Sequence, residues 1–465
     1  MKRLNKIIFA LAIVLGLGAC ELLENQQPHQ DLPLDVLFNS TANLESALVG
    51  AYNDLQDGDA MGSSLPLFGE IMGDNASWSG SFEQWNDIAR HDMDVTNTQI
   101  EAVWNDVYDG MNNINLILDA IESGSIDDAA FATEGDRIKG EALVLRAVLN
   151  FYAVRFWAKP WGSTPDNSQL GIPLLTEGIV SPESFITPSR STVTEVYNLV
   201  ISDLTEAISL LSAYPVGTAG RANAMNARAL LAQVYLQQGN FAEVASLTGT
   251  IINSNTYALE STPQGYFHTQ NEETSSEAVF DIVQTVQDNP GVNNSLSTFY
   301  ASSDFGGRGD IQATQGYIDA LNAVSAAQAA NLPAGFTYED LRSTALLYPE
   351  TNGSISSLKY EDGTTTADNA PIIRFAGVIL MRAEALAETA TAYPSAESTE
   401  AIDLLNQIHL RSIRVTNASG GEEEASQFFS FSVADFASNE ELIEAIRLER
   451  RVELAFEGQR KHDLV

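Results

Sequence analysis

Residues 222–253, ANAMNARALLAQVYLQQGNFAEVASLTGTIIN, decide the fold. Apolar residues recur every three or four positions on both sides of the Gln-Gly-Asn at 238–240, which is the spacing of two amphipathic helices. Gly239 is placed to end the first helix and Asn240 to cap the second. Small and aromatic residues also fall where the tetratricopeptide pattern places them. The stretch predicts an αα-hairpin, whose open apolar face needs neighbouring helices.

Composition excludes several classes of function. The chain has 465 residues, is 44% hydrophobic and carries a formal charge of −38, so it can bury a large core. A strongly acidic chain is a poor match for nucleic acid, because phosphate contact requires clustered lysine and arginine. The five histidines are dispersed and form no HExxH motif. The sequence therefore predicts no nucleic-acid partner, no metal and no cofactor.

The N-terminus predicts an exported, lipidated protein. Lys2, Arg3 and Lys6 precede an apolar run that is too short to span a bilayer. Leu17, Gly18 and Ala19 lead directly to Cys20, the single cysteine. We interpret residues 1–19 as a signal peptide, Cys20 as the site of lipid attachment and residues 20–40 as a flexible tether. The alternative is an ordinary signal peptide with an incidental cysteine.

Helical periodicity covers most of the remaining chain. Beyond the hairpin, apolar spacing predicts helices at 43–56, 104–121, 140–157, 193–211, 372–388, 398–413 and 440–456. Thr192 or Thr194 is placed to cap the fourth of these, and Asn439 to cap the last, which Gly458 would end. Residues 262–371 are rich in Gly, Asn, Ser and Thr and predict short strands, long loops and one or two helices. The predicted fold is mostly α, a scaffold of tetratricopeptide-like helical hairpins with an irregular, loop-rich ligand-binding half.

Three glutamates share one face of the last predicted helix. Glu449, Glu453 and Glu457 would repel one another unless Arg450, Arg451 or Arg460 lies between them. We interpret them as part of a structural salt-bridge network rather than as catalytic acids.

Seven segments together resemble one family. They are the lipobox at 17–20, GAYNDLQ at 50–56, ALVLRAVLNFYAVRFW at 142–157 with the following Trp-Gly, GIPLL at 171–175, RSTVTEVYNLVISDL at 190–204, IIRFAGVILMRAEAL at 372–386 and ERRVELAFEGQRKHDL at 449–464. In this order they resemble the SusD/RagB outer-membrane lipoproteins of Bacteroidetes.

The resemblance implies a fold, a location and a partner. It implies a SusD-like domain over residues 41–465, with the helical scaffold at 41–261 and 372–465 and the variable region at 262–371. It also implies a non-catalytic lipoprotein of the outer membrane, exposed at the cell surface. Such a protein captures oligosaccharide, or peptide in some members, for a SusC-like TonB-dependent transporter.

Two positions depart from the family pattern. His409 stands where the family more often has arginine, which is expected to alter a structural ion network. The chain also stops at Val465, directly after the Asp-Leu that usually leads into a further segment, so a truncated chain is one expectation.

The ligand site is expected on two loops. Sugars need aromatic faces for their C–H surfaces and polar groups for their hydroxyls, at a shallow site. Residues 69–85, GEIMGDNASWSGSFEQW, lack core periodicity and supply both kinds of group. The resemblance implies that this loop meets the irregular half at the binding face, where residues 297–310, STFYASSDFGGRGD, offer counterparts. The candidate ligand-binding residues are Trp78, Trp85, Phe82, Asp74, Asn75, Tyr300, Phe305 and Arg308, with Phe299 beside them.

Two alternatives to glycan capture remain at this point. A peptide-capturing relative would share the architecture and differ only in its loops. A surface glycosidase would need two carboxyl groups facing each other across a cleft, and 62 acidic residues single out no such pair. We therefore expect no catalytic residues.

Overall fold

The computed structural model describes residues 38–180, 187–217, 220–268 and 275–465. The predicted signal peptide, Cys20 and the tether up to residue 37 lie outside the described residues.

Eighteen helices account for most of the described chain. The first nine are α1 (Thr41–Gln56), α2 (Ser64–Ile71), α3 (Glu83–Ala89), α4 (Thr98–Glu122), α5 (Phe131–Trp157), α6 (Val193–Leu211), α7 (Ala224–Gln237), α8 (Phe241–Asn253) and α9 (Pro263–His268). The others are α10 (Leu296–Tyr300), α11 (Gln315–Ala323), α12 (Ala326–Ala329), α13 (Leu341–Thr344), α14 (Phe375–Thr389), α15 (Ala396–Arg411), α16 (Ser426–Phe429), α17 (Asn439–Glu453) and α18 (Arg460–Asp463).

Eleven short strands form small antiparallel sheets among the described residues. They are β1 (Ala76–Trp78), β2 (Leu170–Pro173), β3 (Arg190–Thr192), β4 (Ala278–Ile282), β5 (Ile311–Ala313), β6 (Thr337–Asp340), β7 (Leu347–Pro349), β8 (Ile355–Ser357), β9 (Ala370–Arg374), β10 (Ile413–Thr416) and β11 (Glu422–Glu423). The pairs are β1–β5, β2–β3, β4–β9 and β7–β8, and β10 lies between β11 and β6. Because each sheet has only two or three short strands and the helices cover more of the described chain, the predicted mostly α fold is confirmed.

The central hairpin forms as predicted, with one difference. Gly239 follows α7 at φ +70°, and the Asn223 side chain accepts hydrogen bonds from two N–H groups at the start of that helix, at 2.8 and 3.1 Å. Asn240 precedes α8 but its side chain makes no capping bond, so that prediction was wrong. Its backbone, at φ −87° and ψ 67°, is not in the extended conformation from which a capping side chain reaches back.

The helices pack as a continuous array around one core. α5 packs against α1, α4 and α6, α6 against α7, α8 against α14, and α14 against α15 and α17. The α8–α14 contact joins the helices before the loop-rich region to those after it. Residues 140–155 of α5 are buried all round, as its apolar circumference predicted. Arg146 of α5 binds Asp203 of α6 through two hydrogen bonds of 2.8 Å, which fixes that crossing.

Several predicted helix boundaries were wrong. The helices predicted to begin at residues 104 and 140 begin at Thr98 and Phe131, and the helix predicted at 398–413 ends at Arg411, before β10.

The predicted helix at 372–388 begins only at Phe375, because the preceding residues pair as β9 with β4. Pairing with a neighbouring strand overrides helical periodicity here. Ser438 caps α17, while the Asn439 side chain donates to the carbonyl of Ala390 at 3.1 Å instead. That helix ends at Glu453, three residues before the predicted end.

The loop-rich region holds five short helices, α9 to α13, rather than one or two. Each is nine residues or fewer, too short to be stable alone, so its conformation comes from tertiary packing that periodicity does not report.

The glutamates of the last helix face form a buried ion network, as predicted. The predicted cations were wrong, because Arg450 pairs with Asp463, and Arg451 and Arg460 pair with Asp74. Arg374 bonds Glu457 at 2.7 and 2.8 Å instead, and Arg411 bonds Glu453 at 2.6 Å. Burial acts to raise the pKa of Glu453, but the surrounding arginines lower it to about 2. His409 joins the network through Glu449, at 3.0 Å.

None of the helices described here combines the length and apolar content that a membrane span requires.

Candidate functional site

The two predicted ligand loops meet in one small sheet. β1 pairs antiparallel with β5, with Trp78 opposite Ile311. Beyond the strands, the Ser79 N–H donates to the carbonyl oxygen of Asp310 at 2.7 Å. Residues 69–85 therefore include a strand and the first turn of α3, although the sequence predicted a loop throughout.

Three aromatic rings, including that of Trp78 in β1, form one cluster. Trp78 and Trp85 lie parallel, with ring centroids 5.4 Å apart and planes 14° from each other. Phe299 lies 5.2 Å from Trp85 and 6.0 Å from Trp78. Trp85 and Phe299 are buried, whereas Trp78 is half-buried. The Phe299 ring is tilted by 48° from Trp78 and by 46° from Trp85, so Trp78 is the outer plate of a cluster whose other two rings belong to the core.

Arg308 lies between Phe82 and the Phe299 ring of this cluster. Phe82 is 44% exposed, and the Arg308 guanidinium carbon lies 5.3 Å from its ring centroid and 4.9 Å from that of Phe299. The Nε atom of Arg308 donates to the carboxylate of Asp310 at 2.7 Å. We call Trp78, Phe82 and Arg308 the platform.

A second aromatic group lies further along the same loop. Phe305 contacts Tyr348 edge to face at 5.1 Å, and the Tyr348 hydroxyl donates to Asp304 at 2.5 Å. Both rings are half-buried. Sequence reasoning did not find Tyr348, since a single tyrosine in the three-residue strand β7 carries no pattern.

Tyr300 does not reach the surface, although the sequence placed it with the ligand-binding residues. It is fully buried and stacks on Tyr360 with ring centroids 5.4 Å apart. It follows Phe299 in the short helix α10, where both rings point into the core. Direct contact with a ligand is therefore excluded in this conformation.

Asp74 and Asn75 serve as attachment points for the loop. Arg451 donates to the Asn75 amide oxygen at 2.8 Å and to Asp74 at 3.2 Å, and Arg460 donates to Asp74 at 3.1 Å. The arginines belong to α17 and α18. Both predicted ligand groups are thus occupied in holding β1 to the C-terminal part of the chain.

Glu70 makes a second attachment. Its Oε1 atom accepts backbone hydrogen bonds from Gly458 at 2.9 Å and from Gln459 at 3.1 Å, while Oε2 is buried without a partner. Burial raises the pKa of Glu70 from 4.5 to about 7, although the N–H groups and Lys359 oppose this. The carboxyl group is therefore protonated over a range in which an exposed glutamate is ionised.

We expect Glu70→Gln to change how stability depends on pH. Because the folded-state pKa lies above the unfolded value, the contribution of Glu70 is present below pH 4.5 and is lost as pH rises to about 7. Glutamine does not ionise, so the variant does not lose this stability. The free energy of unfolding of the variant minus that of the native protein should therefore rise by about 3 kcal/mol between pH 4.5 and pH 8. Urea unfolding at several pH values measures the difference.

Glu101→Gln, which removes an exposed carboxyl group, is the control. Parallel pH profiles for the native protein and Glu70→Gln would contradict the raised pKa.

Three carboxyl groups lie close together away from the platform residues. Oxygens of Asp57, Asp59 and Asp106 lie within 4.8 Å of one another, the only such group among the residues that the structure describes. Burial and the two neighbouring carboxylates raise the pKa of Asp106 to about 7. Acidic groups of this kind are common without an ion, and the site is not assigned to a metal.

Two family models match the chain. Residues 21–236 match a model described as starch-binding associating with outer membrane, and residues 348–465 match the model of the SusD family. The chain belongs to the SusD family. The resemblance seen in the sequence is therefore confirmed, and with it membership of a family of sugar-binding proteins associated with the outer membrane.

Curated relatives match over nearly the whole chain. The chain is 25% identical to SusD-like protein P2 of Formosa agariphila, over 99% of this chain and 90% of that protein. It is 23% identical to SusD-like protein P38 of the same organism, over 100% of this chain and 92% of that protein.

Solved structures show the same fold. A SusD superfamily protein from Bacteroides thetaiotaomicron aligns with a TM-score of 0.73 at 24% identity, covering 93% of this chain and 88% of that one. A SusD-like carbohydrate binding protein from Bacteroides vulgatus aligns with a TM-score of 0.69 at 18% identity, covering 92% of this chain and 83% of that one.

Proposed function

We propose that this protein is a non-catalytic lipoprotein that captures oligosaccharide at the cell surface for import through a SusC-like TonB-dependent transporter. The observation that carries the proposal is the platform: a half-buried tryptophan plate, an exposed phenylalanine and an arginine. Attachment to the outer membrane would be through lipid on Cys20.

The platform suits a sugar chain for physical reasons. A pyranose ring presents C–H groups on one face, which pack on an aromatic ring, and hydroxyl groups at its edge, which need polar partners. Trp78 supplies the ring, and its orientation is fixed by stacking on Trp85, so little conformational entropy is lost on binding. Position 80 requires glycine, because a Cβ there would lie 2.5 Å from Cζ2 of Trp78 and displace the ring. The second aromatic group, Phe305 and Tyr348, extends the surface for a longer chain.

Substitution of Trp78 by alanine tests the proposal. We expect Trp78→Ala to weaken glycan binding at least about tenfold, because a buried aromatic face contributes roughly 1.5 to 3 kcal/mol. Trp78→Phe keeps a smaller ring and should bind with intermediate affinity. Calorimetry against a panel of oligosaccharides and peptides measures binding, and product analysis of each mixture measures turnover.

Trp161→Ala is the matched control. Trp161 is also half-buried, but it packs against Tyr197 of α6 at 4.8 Å, away from the platform residues. Binding to peptides alone would favour the peptide-capturing alternative. Release of products from any glycan would overturn the non-catalytic assignment.

A further inference from the structure

Arg308 is held in one orientation by three contacts. Its Nε atom donates to Asp310, and its guanidinium carbon lies about equally far from the Phe82 and Phe299 rings, at 5.3 and 4.9 Å. Asp310 is itself buried, with 8% of its surface exposed. The side chain of Arg308 is 30% exposed, so the guanidinium reaches solvent from a fixed position.

The two terminal nitrogens of Arg308 are not used within the part of the chain that the structure describes. Arg308 makes one side-chain hydrogen bond there, and it leaves from Nε. Nη1 and Nη2 therefore present a planar pair of donors. A planar pair of N–H donors matches the two oxygens of a carboxylate and forms short, charge-assisted hydrogen bonds with it.

The other arginines near the loop already have acidic or amide partners. Arg451 and Arg460 bind Asp74, and Arg90 of the loop after α3 binds Glu83 and Asp87, each at 2.9 Å. Arg308 also has an acidic partner, but that partner occupies only the Nε side of the guanidinium. Among these four arginines, Arg308 is therefore the one that combines unused terminal donors with contacts to the aromatic rings of Phe82 and Phe299.

The charge of the whole protein does not decide this local contact. A net charge of −38 repels anions at long range, but the Debye length at physiological ionic strength is about 8 Å. A carboxylate in direct contact with the guanidinium is therefore governed mainly by the groups next to it. Long-range repulsion would slow association without removing the contact.

We propose that the platform selects acidic oligosaccharides, in which the carboxylate of a uronic acid residue binds Nη1 and Nη2 of Arg308 while a sugar ring packs on Trp78 or Phe82. The inference rests on the proposed function and names the class of ligand for the same site. It assigns Arg308 to specificity and the aromatic plate to affinity.

Paired ligands test the inference. Uronic acid oligosaccharides are compared with their carboxyl-reduced counterparts, which have the same length and linkage and lack only the charge. Calorimetry with the purified protein should show at least one acidic oligosaccharide that binds about tenfold or more tightly than its neutral counterpart. Neutral counterparts that bind as well would overturn the inference and leave the proposed function standing. No binding of any glycan would instead overturn the proposed function.

Variants at the ion pair locate the contact. Arg308→Gln combined with Asp310→Asn removes both charges, so no buried carboxylate is left without its partner. The double variant should lose about tenfold or more in affinity for the acidic ligand and less than about twofold for the neutral one. Unchanged binding of the acidic ligand would show that the carboxylate is held elsewhere.

Two further variants separate geometry from charge. Arg308→Lys keeps the charge without the planar donors and should lose most of the preference, so a lysine variant with the full preference would refute the bidentate contact. Arg414→Gln removes one positive charge from β10, in another sheet, and should leave the preference unchanged.

Discussion

Replacement of Arg374 by methionine is expected to destabilise the protein by about 3 to 5 kcal/mol. Arg374 is 2% exposed and binds Glu277, Glu453 and Glu457 at the centre of the buried ion network. Methionine fills a similar volume but leaves three carboxylates short of their shared cation. Burial of an unpaired charge is costly, because the desolvation of that charge is no longer offset. Chemical denaturation followed by circular dichroism measures the loss.

The control replaces an arginine whose ion pairs are exposed. Arg90→Met removes pairs with Glu83 and Asp87 on the surface of α3 and the following turn, where solvent screens the charges, so stability should hardly change. If Arg374→Met is as stable as Arg90→Met, the network is not the structural centre of the C-terminal half.

Gly69→Ala is the second substitution with a large expected effect, about 3 kcal/mol of destabilisation. A Cβ at Gly69 would lie 2.1 Å from the carbonyl oxygen of Gly458, and backbone at that point has no freedom to move aside as a flexible side chain would. Gly458 has a positive φ of +78° and also lies directly against Pro66. The turn at Gly458 is therefore in close contact with α2 at both Gly69 and Pro66. α2 must shift, and glycan binding should weaken along with stability, because α2 leads into β1 and Trp78.

Gly50→Ala provides the comparison for this glycine. Gly50 lies inside α1 with open space where a Cβ would stand, so alanine should stabilise the protein by about 0.5 to 1 kcal/mol. Denaturation midpoints and calorimetric affinities of the two variants would be measured side by side. A Gly69→Ala variant that matches Gly50→Ala in both would show that α2 and the C-terminal turn are not in close contact.

The helical scaffold could be predicted because its signals are local. α6 runs from Val193 to Leu211 as predicted, since apolar spacing and the Thr192 capping box with Glu195 fix both its face and its start. β9 could not be predicted as a strand, because its partner β4 lies about ninety residues earlier and only the fold brings the two together. The number of helices in the loop-rich region could not be predicted for the same reason, because their conformations depend on contacts distant in sequence.

The candidate site was predictable in its loops but not in the role of each side chain. Composition marked Trp78 and Phe82, and the structure leaves Trp78 half-buried and Phe82 exposed. Whether a loop residue faces solvent depends on contacts distant in sequence. Asp74 and Asn75 look like ligand groups until Arg451 and Arg460 are seen beside them. Arg308 was a candidate in the sequence, but only the structure shows that Asp310 orients it.

The attachment of the ligand loop to α17 and α18 also sets the order in which the protein matures. Asp74 and its arginine partners are separated by more than 370 residues, so a chain emerging during synthesis contains Trp78 long before it contains the groups that position its loop. The scaffold helices can pack as they emerge, whereas the platform loop is positioned only after Arg451 and Arg460 have followed. A molecule cut before Arg451 would therefore keep many of its helices and lose the contacts that hold the platform loop in place.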